Sequence, residues 1–155
     1  MSKTIEEVIL EKGFYVTRPK GTSMFPMLKD NCNEICVVKA DEINKYDVPL
    51  YKRESGEYVL HRILDINEDG YVCCGDNQWT LEYGVKREQI IGKLDRWFKG
   101  NKEYTVSDKS YQRYVKFWCK SLKRRHFILW FWHRYNYLVG AIKEILSKIF
   151  KRNKS

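Results

Sequence analysis

The sequence predicts a mostly β fold, with a short helix before the strands and a helical tail after them. Short apolar runs separated by turn-forming residues fill residues 14–106, as in a small antiparallel β domain. From residue 107 the chain becomes basic, aromatic and helix-forming. A length of 155 residues accommodates one compact domain and an appendage. We therefore predict a domain over residues 1–106 and a tail over residues 107–155.

The first predicted element is a short amphipathic helix. Thr4 and Glu7 have the spacing of a capping box, which satisfies backbone N–H groups at a helix start. Ile5 and Ile9 then share one face, and Gly13 suits the helix end. This N-terminal segment has no long apolar run, so the sequence predicts no signal peptide.

Six runs in the next segment have the length and composition of strands. They are FYVT, EICVV, VPLYKR, EYVLHRIL, YVCC and IIGKL. Pairs and triplets of Asn, Asp, Gly and Ser separate them, and such residues favour tight turns. Short strands joined by tight turns predict mainly antiparallel pairing.

The five cysteines predict neither disulfides nor a metal site. They are Cys32, Cys36, Cys73, Cys74 and Cys119. Their number is odd, and no two pairs have the spacing of a zinc site. We expect reduced thiols in a cytoplasmic chain, with no metal and no cofactor.

The excess of positive over negative charge is confined to the predicted tail. Residues 107–155 contain 13 lysines and arginines but only two acids, whereas residues 1–106 contain 16 basic and 18 acidic residues. Trp118, Trp130, Trp132, Tyr135 and Tyr137 accompany the basic residues. This mixture is typical of interfacial helices that meet an anionic membrane surface, and we expect no nucleic acid partner. A helical pair packed on the β domain is the alternative.

Three short motifs carry the chemistry. The first is Gly21-Thr22-Ser23-Met24-Phe25-Pro26, the second is Leu60-His61-Arg62, and the third is Gly75-Asp76-Asn77. A serine hydroxyl becomes a nucleophile when a base accepts its proton, and histidine suits that role near neutral pH. A carboxylate is then needed at the far imidazole nitrogen.

Taken together, these motifs resemble the signal peptidase I family and its serine–histidine branch, which share a β fold with repressor-type peptidases. The resemblance covers about residues 14–98 and includes Ile90-Ile91-Gly92-Lys93 as the closing strand. It implies that Ser23 is the nucleophile, His61 the base, and an extended precursor peptide the substrate.

The chain departs from the family at three points. Glu82 stands where the family has its catalytic Asp, so either Glu82 or Asp76 could orient His61. Gly21 replaces a Ser that can assist the oxyanion hole, which leaves backbone N–H groups and the Thr22 hydroxyl. Met24 and Pro26 belong to the same motif and are expected at the substrate site. The N-terminal membrane anchor is missing, so we expect a cytoplasmic or peripheral protein on the cytoplasmic face.

Two other functions fit parts of the sequence. A self-cleaving repressor-type relative would need an Ala-Gly site and a helix-turn-helix domain, and the sequence has neither. An inactive relative could instead use its tail to bind membrane or single-stranded nucleic acid. Arg62 is expected to bond backbone carbonyls or a carboxylate in any of these cases.

Overall fold

Helix and antiparallel strand make up similar shares of the chain, 34% and 32%. The computed structural model describes residues 3–31 and 33–152. The prediction of a mostly β chain is therefore only partly right. The strands in the described ranges all lie between residues 14 and 105, while the two C-terminal helices contribute nearly as much regular structure as these strands do.

Helix α1, Ile5–Lys12, confirms the predicted capping box. The Thr4 hydroxyl accepts a hydrogen bond from the Glu7 N–H at 3.3 Å, and the Glu7 carboxylate accepts one from the Thr4 N–H at 2.8 Å. Gly13 ends the helix at φ 81°, a left-handed conformation that costs glycine little.

In the part of the chain that the structure describes, nine strands form two antiparallel sheets. They are β1 Phe14–Thr17, β2 Asn33–Val38, β3 Pro49–Lys52, β4 Tyr58–Leu60, β5 Arg62–Asn67, β6 Gly70–Cys74, β7 Glu82–Val85, β8 Ile90–Lys99 and β9 Lys102–Thr105. The larger sheet has the order β1-β2-β8-β3-β4, with β9 also paired to β8. The smaller sheet has the order β5-β6-β7. The ends of the first path are therefore β1 and β4.

One run that the sequence predicts as a single strand is divided between the two sheets. EYVLHRIL becomes β4 before His61 and β5 after it. Strand β4 pairs with β3, whereas β5 pairs with β6. His61 thus lies where the chain leaves one sheet for the other. A continuous apolar run does not reveal such a crossing, because residues of both strands are buried.

A cluster of buried residues from both sheets forms the core. Tyr51 of β3, Ile63 of β5 and Cys73 of β6 have no exposed surface, and Val59 and Val85 pack in the same cluster. Tyr51 is the one side chain of this cluster that carries a hydroxyl group. A buried hydroxyl needs a hydrogen-bond partner, and that of Tyr51 points into the candidate site described below.

Helix α2, Lys109–Cys119, belongs to the same compact unit as the sheets. Its Tyr111, Val115 and Trp118 are buried, and the chain divides after Lys120 into two compact units. The predicted boundary after residue 106 is therefore too early. The interfacial role predicted for Trp118 is also wrong, because its ring is core.

Helix α3, Leu122–Arg152, forms the second unit and is 31 residues long. Residues 153–155 of the predicted tail lie outside the described residues. Throughout the described ranges, no helix combines the length and the apolar character that crossing a membrane requires.

The cysteines that the structure describes are buried thiols. They are Cys36, Cys73, Cys74 and Cys119. Cys32 lies outside the described residues. Burial raises the pKa of the Cys73 thiol to about 12, so that thiol stays protonated at neutral pH and is a poor nucleophile.

Candidate active site

Ser23 lies in a tight turn between β1 and β2. The Phe25 N–H donates to the Thr22 carbonyl at 3.0 Å, and the Leu28 N–H donates to the Met24 carbonyl at 2.9 Å. The apolar side chains of Met24 and Leu28 are buried beneath the turn, while the Ser23 side chain is half-buried at its surface. Burial of these apolar side chains therefore fixes the turn, and the Ser23 hydroxyl stays partly accessible.

The Gly75-Asp76-Asn77 segment holds the backbone of Ser23. The Asn77 N–H donates to the Ser23 carbonyl at 2.7 Å. A Cβ on Gly75 would lie 2.6 Å from the same carbonyl oxygen, closer than side chains pack. Glycine is thus required at residue 75 because the nucleophile's own backbone approaches it. Two motifs separated by some fifty residues in sequence meet in this contact.

Asp76 is fully buried and is bound by Arg62. The Arg62 Nε donates to Asp76 Oδ1 at 2.9 Å, and Nη2 donates to Oδ2 at 2.7 Å. Arg62 is fully buried as well, and its Nη1 donates to the Tyr46 carbonyl at 3.0 Å. The prediction that Arg62 bonds carbonyls or a carboxylate is confirmed. Both carboxylate oxygens of Asp76 are occupied by this arginine.

Helix α2 completes the surroundings of this buried ion pair. The Tyr114 hydroxyl donates to Asp76 Oδ2 at 2.9 Å, and the Trp118 indole N–H donates to the Asp76 carbonyl at 2.9 Å. Arg62 Nη1 also donates to the Tyr111 hydroxyl at 2.8 Å. The aromatic side chains of α2 thus satisfy polar groups that burial would otherwise leave without partners.

His61 has the other candidate acid beside it. Its Nδ1 lies 3.9 Å from Glu82 Oε2 and 3.4 Å from the Tyr51 hydroxyl. That hydroxyl donates to Glu82 Oε2 at 2.7 Å. The Tyr51 oxygen can then accept the Nδ1 proton of His61. A chain from imidazole through phenol to carboxylate leaves Nε2 unprotonated, as a general base requires.

Arg53 fixes the carboxylate of Glu82. Its Nε donates to Oε1 at 2.8 Å and its Nη2 to Oε2 at 2.5 Å. These hydrogen bonds lower the pKa of Glu82 below its ordinary value, so Glu82 is ionised at neutral pH. Burial and the bond to Glu82 raise the pKa of Tyr51, which therefore keeps its donating proton.

Burial also lowers the pKa of His61. The partly opposing influence is the negative charge of Glu82, which favours the imidazolium. Because the shift is downward from 6.5, His61 is neutral at pH 7. A neutral imidazole can accept a proton, whereas an imidazolium cannot.

Ser23 and His61 line the same cleft, which has a volume of about 340 Å³. Its walls include residues of both ends of the larger sheet, among them Tyr15 and Thr17 of β1 and Val59 of β4. Within the described residues, no hydrogen bond joins the Ser23 hydroxyl to His61. Catalytic hydrogen bonds often tighten only when substrate binds, so the shared cleft is the relevant observation.

The remaining predicted site residues have different surroundings. Met24 lines the cleft and is buried. Thr22 is exposed and Pro26, which follows a cis peptide bond, is half-buried. Neither belongs to the described residues that line the cleft. The substrate role predicted for Pro26 and the oxyanion role predicted for the Thr22 hydroxyl have no support from this geometry.

The structure distinguishes the two candidate acids that the sequence left open. Glu82 approaches the Nδ1 side of His61, whereas Asp76 is engaged by Arg62 and Tyr114. The prediction that Asp76 could orient His61 is therefore corrected: in the described chain it has no hydrogen bond to the imidazole. Asp76 instead lies in the segment whose Gly75 and Asn77 contact the backbone of Ser23.

Sequence reasoning missed Tyr51 and Arg53. Both lie in the run VPLYKR, which contains no feature beyond that of a strand. Alternation along β3 places Tyr51 and Arg53 on one side of the strand, two residues apart. That alternation, combined with the proximity of β3 and β4 in sequence, is the only signal that could have linked them to His61.

The described residues offer no place for a metal ion, since they contain no group of three or more His, Cys, Asp or Glu side chains arranged to hold one. No protein-family model, curated protein or solved structure matches the chain significantly. The geometry of Ser23, His61, Tyr51 and Glu82 is therefore the basis for inferring a function.

Proposed function

We propose that the chain is a serine endopeptidase of the signal-peptidase type, with Ser23 as nucleophile and His61 as general base. The observation that carries this proposal is the position of His61 between two features. One is the cleft it shares with Ser23, and the other is the ionised Glu82 on the Nδ1 side of its ring. A nucleophile, a base and an acid that orients the base are the elements of serine peptidase catalysis.

The reaction begins with attack of Ser23 Oγ on the carbonyl carbon of a peptide bond. As the new C–O bond forms, the hydroxyl proton passes to His61 Nε2 and the carbonyl oxygen becomes an oxyanion. Collapse of the tetrahedral intermediate breaks the C–N bond, and the imidazolium gives its proton to the departing amine. Water then attacks the acyl-enzyme with His61 again as base, which releases the acid and restores Ser23.

Glu82 stabilises the imidazolium that forms in each step. Its charge acts across 3.9 Å, and Tyr51 links it to the Nδ1 proton through two hydrogen bonds. Arg53 holds the carboxylate in place but also neutralises part of its charge. Tyr51 and Arg53 are therefore positioning residues, which act through Glu82 and His61.

The backbone N–H of Ser23 is the candidate oxyanion donor. Within the described residues it donates no hydrogen bond, so it is available to a developing negative charge. The Ser23 carbonyl is held by Asn77, which fixes the orientation of the peptide unit that follows. Preorganised donors of this kind contribute about 3 kcal/mol to lowering the barrier.

The substrate class follows from the walls of the cleft. Strands β1 and β4 end the larger sheet, and residues of both line the cleft. An edge strand presents unpaired N–H and C=O groups, to which an extended peptide can add as a further strand. We infer that a precursor peptide in extended conformation lies along these edges, with its scissile bond at Ser23.

Labelling by a fluorophosphonate, which reacts with activated serines, tests the proposal. The wild-type chain should form a single adduct on the peptide that contains Ser23, and Ser23→Ala should not label. Ser55→Ala, which removes an exposed serine that does not line the cleft, is the matched control and should label like wild type. Labelling of Ser23→Ala at the wild-type rate would exclude Ser23 as the nucleophile.

A binding module without catalysis is the second candidate, and one observation favours it. Glu82 reaches His61 only through Tyr51, and two nitrogens of Arg53 already occupy its carboxylate. If this arrangement leaves His61 too weak a base, the cleft would bind a peptide and not cut it. In that case the wild-type chain would fail to label, while a peptide would still bind in the cleft.

A further inference from the structure

Helix α3 carries a continuous apolar face that is open to solvent. Successive residues of an α-helix are about 100° apart, so side chains three or four positions apart share a face. On this basis seven residues form one stripe, which we call the apolar stripe. They are Phe127, Phe131, Tyr135, Leu138, Ile142, Ile145 and Ile149.

Every residue of the apolar stripe is at least half exposed. The values run from 66% for Phe127 and 61% for Phe131 to 50% for Ile149. Isolated exposed apolar residues are ordinary, but a contiguous stripe along a helix marks a surface that another phase or molecule covers. Burial of one such side chain is strongly favourable, so the stripe is a candidate binding surface.

Positive charge accompanies the stripe along the helix. Residues 122–150 contain six lysines and arginines and a single acid, Glu144, which is paired with Lys148 at 2.7 Å. On a helical projection Arg134 lies directly beside the stripe, and Lys143 lies farther round the helix beyond its other edge. Long basic side chains at the borders of an apolar face can extend to the headgroups of a membrane while the face enters the acyl region.

We propose that the apolar stripe binds α3 to the surface of an anionic membrane, with the helix axis in the plane of the headgroups. This inference is independent of the peptidase proposal, because it uses no residue of the cleft. A second copy of α3 fits less well, since pairing two stripes would bring basic residues together with almost no acids to balance them. Single-stranded nucleic acid also fits less well, because the C-terminal half of the stripe is aliphatic and offers no stacking surface.

Vesicle co-sedimentation of the full chain tests the proposal. We expect binding to vesicles of equal parts phosphatidylcholine and phosphatidylserine, weaker binding to phosphatidylcholine alone, and partial release as sodium chloride rises. Ile142→Gln together with Ile145→Gln should weaken binding on the order of a hundredfold, about tenfold for each buried side chain. Tyr137→Gln, which removes an exposed aromatic away from the stripe, should change binding less than about threefold.

The depth at which α3 lies in the membrane can be measured as well, with variants that still bind vesicles. Trp130 and Trp132 lie on the two borders of the stripe, each roughly 100° from its centre on a helical projection. Lipids brominated in the acyl chain should quench the fluorescence of the wild-type chain, and Trp130→Phe and Trp132→Phe should each remove part of this quenching.

Three results would overturn the proposal. One is binding to neutral and anionic vesicles that is equal and unaffected by salt. Another is a double isoleucine variant that keeps its helical circular dichroism and binds like wild type. The third is a chain that ignores vesicles and instead forms dimers, or binds an oligonucleotide, through the same two isoleucines.

Discussion

Asp76 and Glu82 each accept hydrogen bonds from two nitrogens of an arginine, yet they lie in different environments. The Asp76–Arg62 pair has no exposed side-chain surface, whereas the side chains of Arg53 and Glu82 are 36% and 27% exposed. Asp76 is further bound by α2, and Glu82 is linked through Tyr51 to His61. The buried pair adjoins the segment that holds the Ser23 turn, and the half-buried pair includes Arg53, which lines the cleft shared by Ser23 and His61.

The two environments suit the two acids to different roles in the proposed function. A carboxylate with all its oxygens engaged inside the protein fixes structure, because losing its partner there is costly. A carboxylate near the surface of a cleft can favour an imidazolium while its own bonds change little. We therefore infer that Asp76 contributes mainly to the free energy of unfolding and that Glu82 contributes to the proposed reactivity of Ser23.

Truncation before α2 should give the largest effect on the free energy of unfolding. It removes the helix that contacts Asp76 and leaves the contacts between Glu82 and Arg53 in place. A fragment of residues 1–106 loses burial of Tyr111, Val115 and Trp118, which together contribute about 5–9 kcal/mol. That approaches the whole stability of a small domain. We expect the 1–106 fragment to be unfolded by circular dichroism and a 1–120 fragment to unfold cooperatively. Cooperative unfolding of both fragments would show that α2 is dispensable for the fold.

Glu82→Gln should give the next largest effect, on reactivity. Removing the charge that stabilises the imidazolium should slow fluorophosphonate labelling of Ser23 by on the order of 10³–10⁴. Glu57→Gln is the matched control, because Glu57 binds the same Arg53 and also lines the cleft. We expect it to change the rate less than about threefold, as for an exposed ion pair. Equal rates in Glu82→Gln and wild type would remove Glu82 from the mechanism.

Asp76→Asn should act on stability. It leaves the Arg62 guanidinium buried without a counter-charge, which costs about 3–5 kcal/mol in urea unfolding. The exposed pair of Asp65 and Lys45 supplies the control, since Asp65→Asn should cost less than about 1 kcal/mol. If Asp76→Asn kept full stability and lost only labelling, Asp76 would be the catalytic acid and the comparison would be reversed.

The sequence predicted those parts of the molecule that depend on local pattern. The capping box of Thr4 and Glu7, the six strand-like runs and the pairing of Arg62 with a carboxylate all follow from short-range chemistry. The helical content was underestimated, because nothing in the composition of residues 109–152 sets how far the helices extend. The boundary after residue 106 failed since burial of Tyr111 and Trp118 depends on where α2 packs.

Only those residues of the candidate site that belong to a recognisable sequence pattern could be predicted. Ser23, His61 and the two acids stand out by residue type and order, and the choice between the acids needed three-dimensional contacts. Tyr51 could not be foreseen, because a tyrosine in an apolar strand is ordinarily core. Here it is core and polar partner at once, buried among Ile63 and Cys73 with its hydroxyl at Glu82.

The most direct test of the central claim is the tautomer and pKa of His61, measured by NMR on the chain labelled with ¹⁵N-histidine. The chain has three histidines, so loss of one signal in His61→Asn identifies the resonances. The account predicts that His61 is neutral at pH 7 with its proton on Nδ1, and that its pKa lies below 6.5. Glu82→Gln should lower that pKa further, because the carboxylate favours the imidazolium, and Tyr51→Phe should weaken the preference for Nδ1–H. A neutral ring protonated on Nε2, or a pKa that does not respond to Glu82→Gln, would contradict the account.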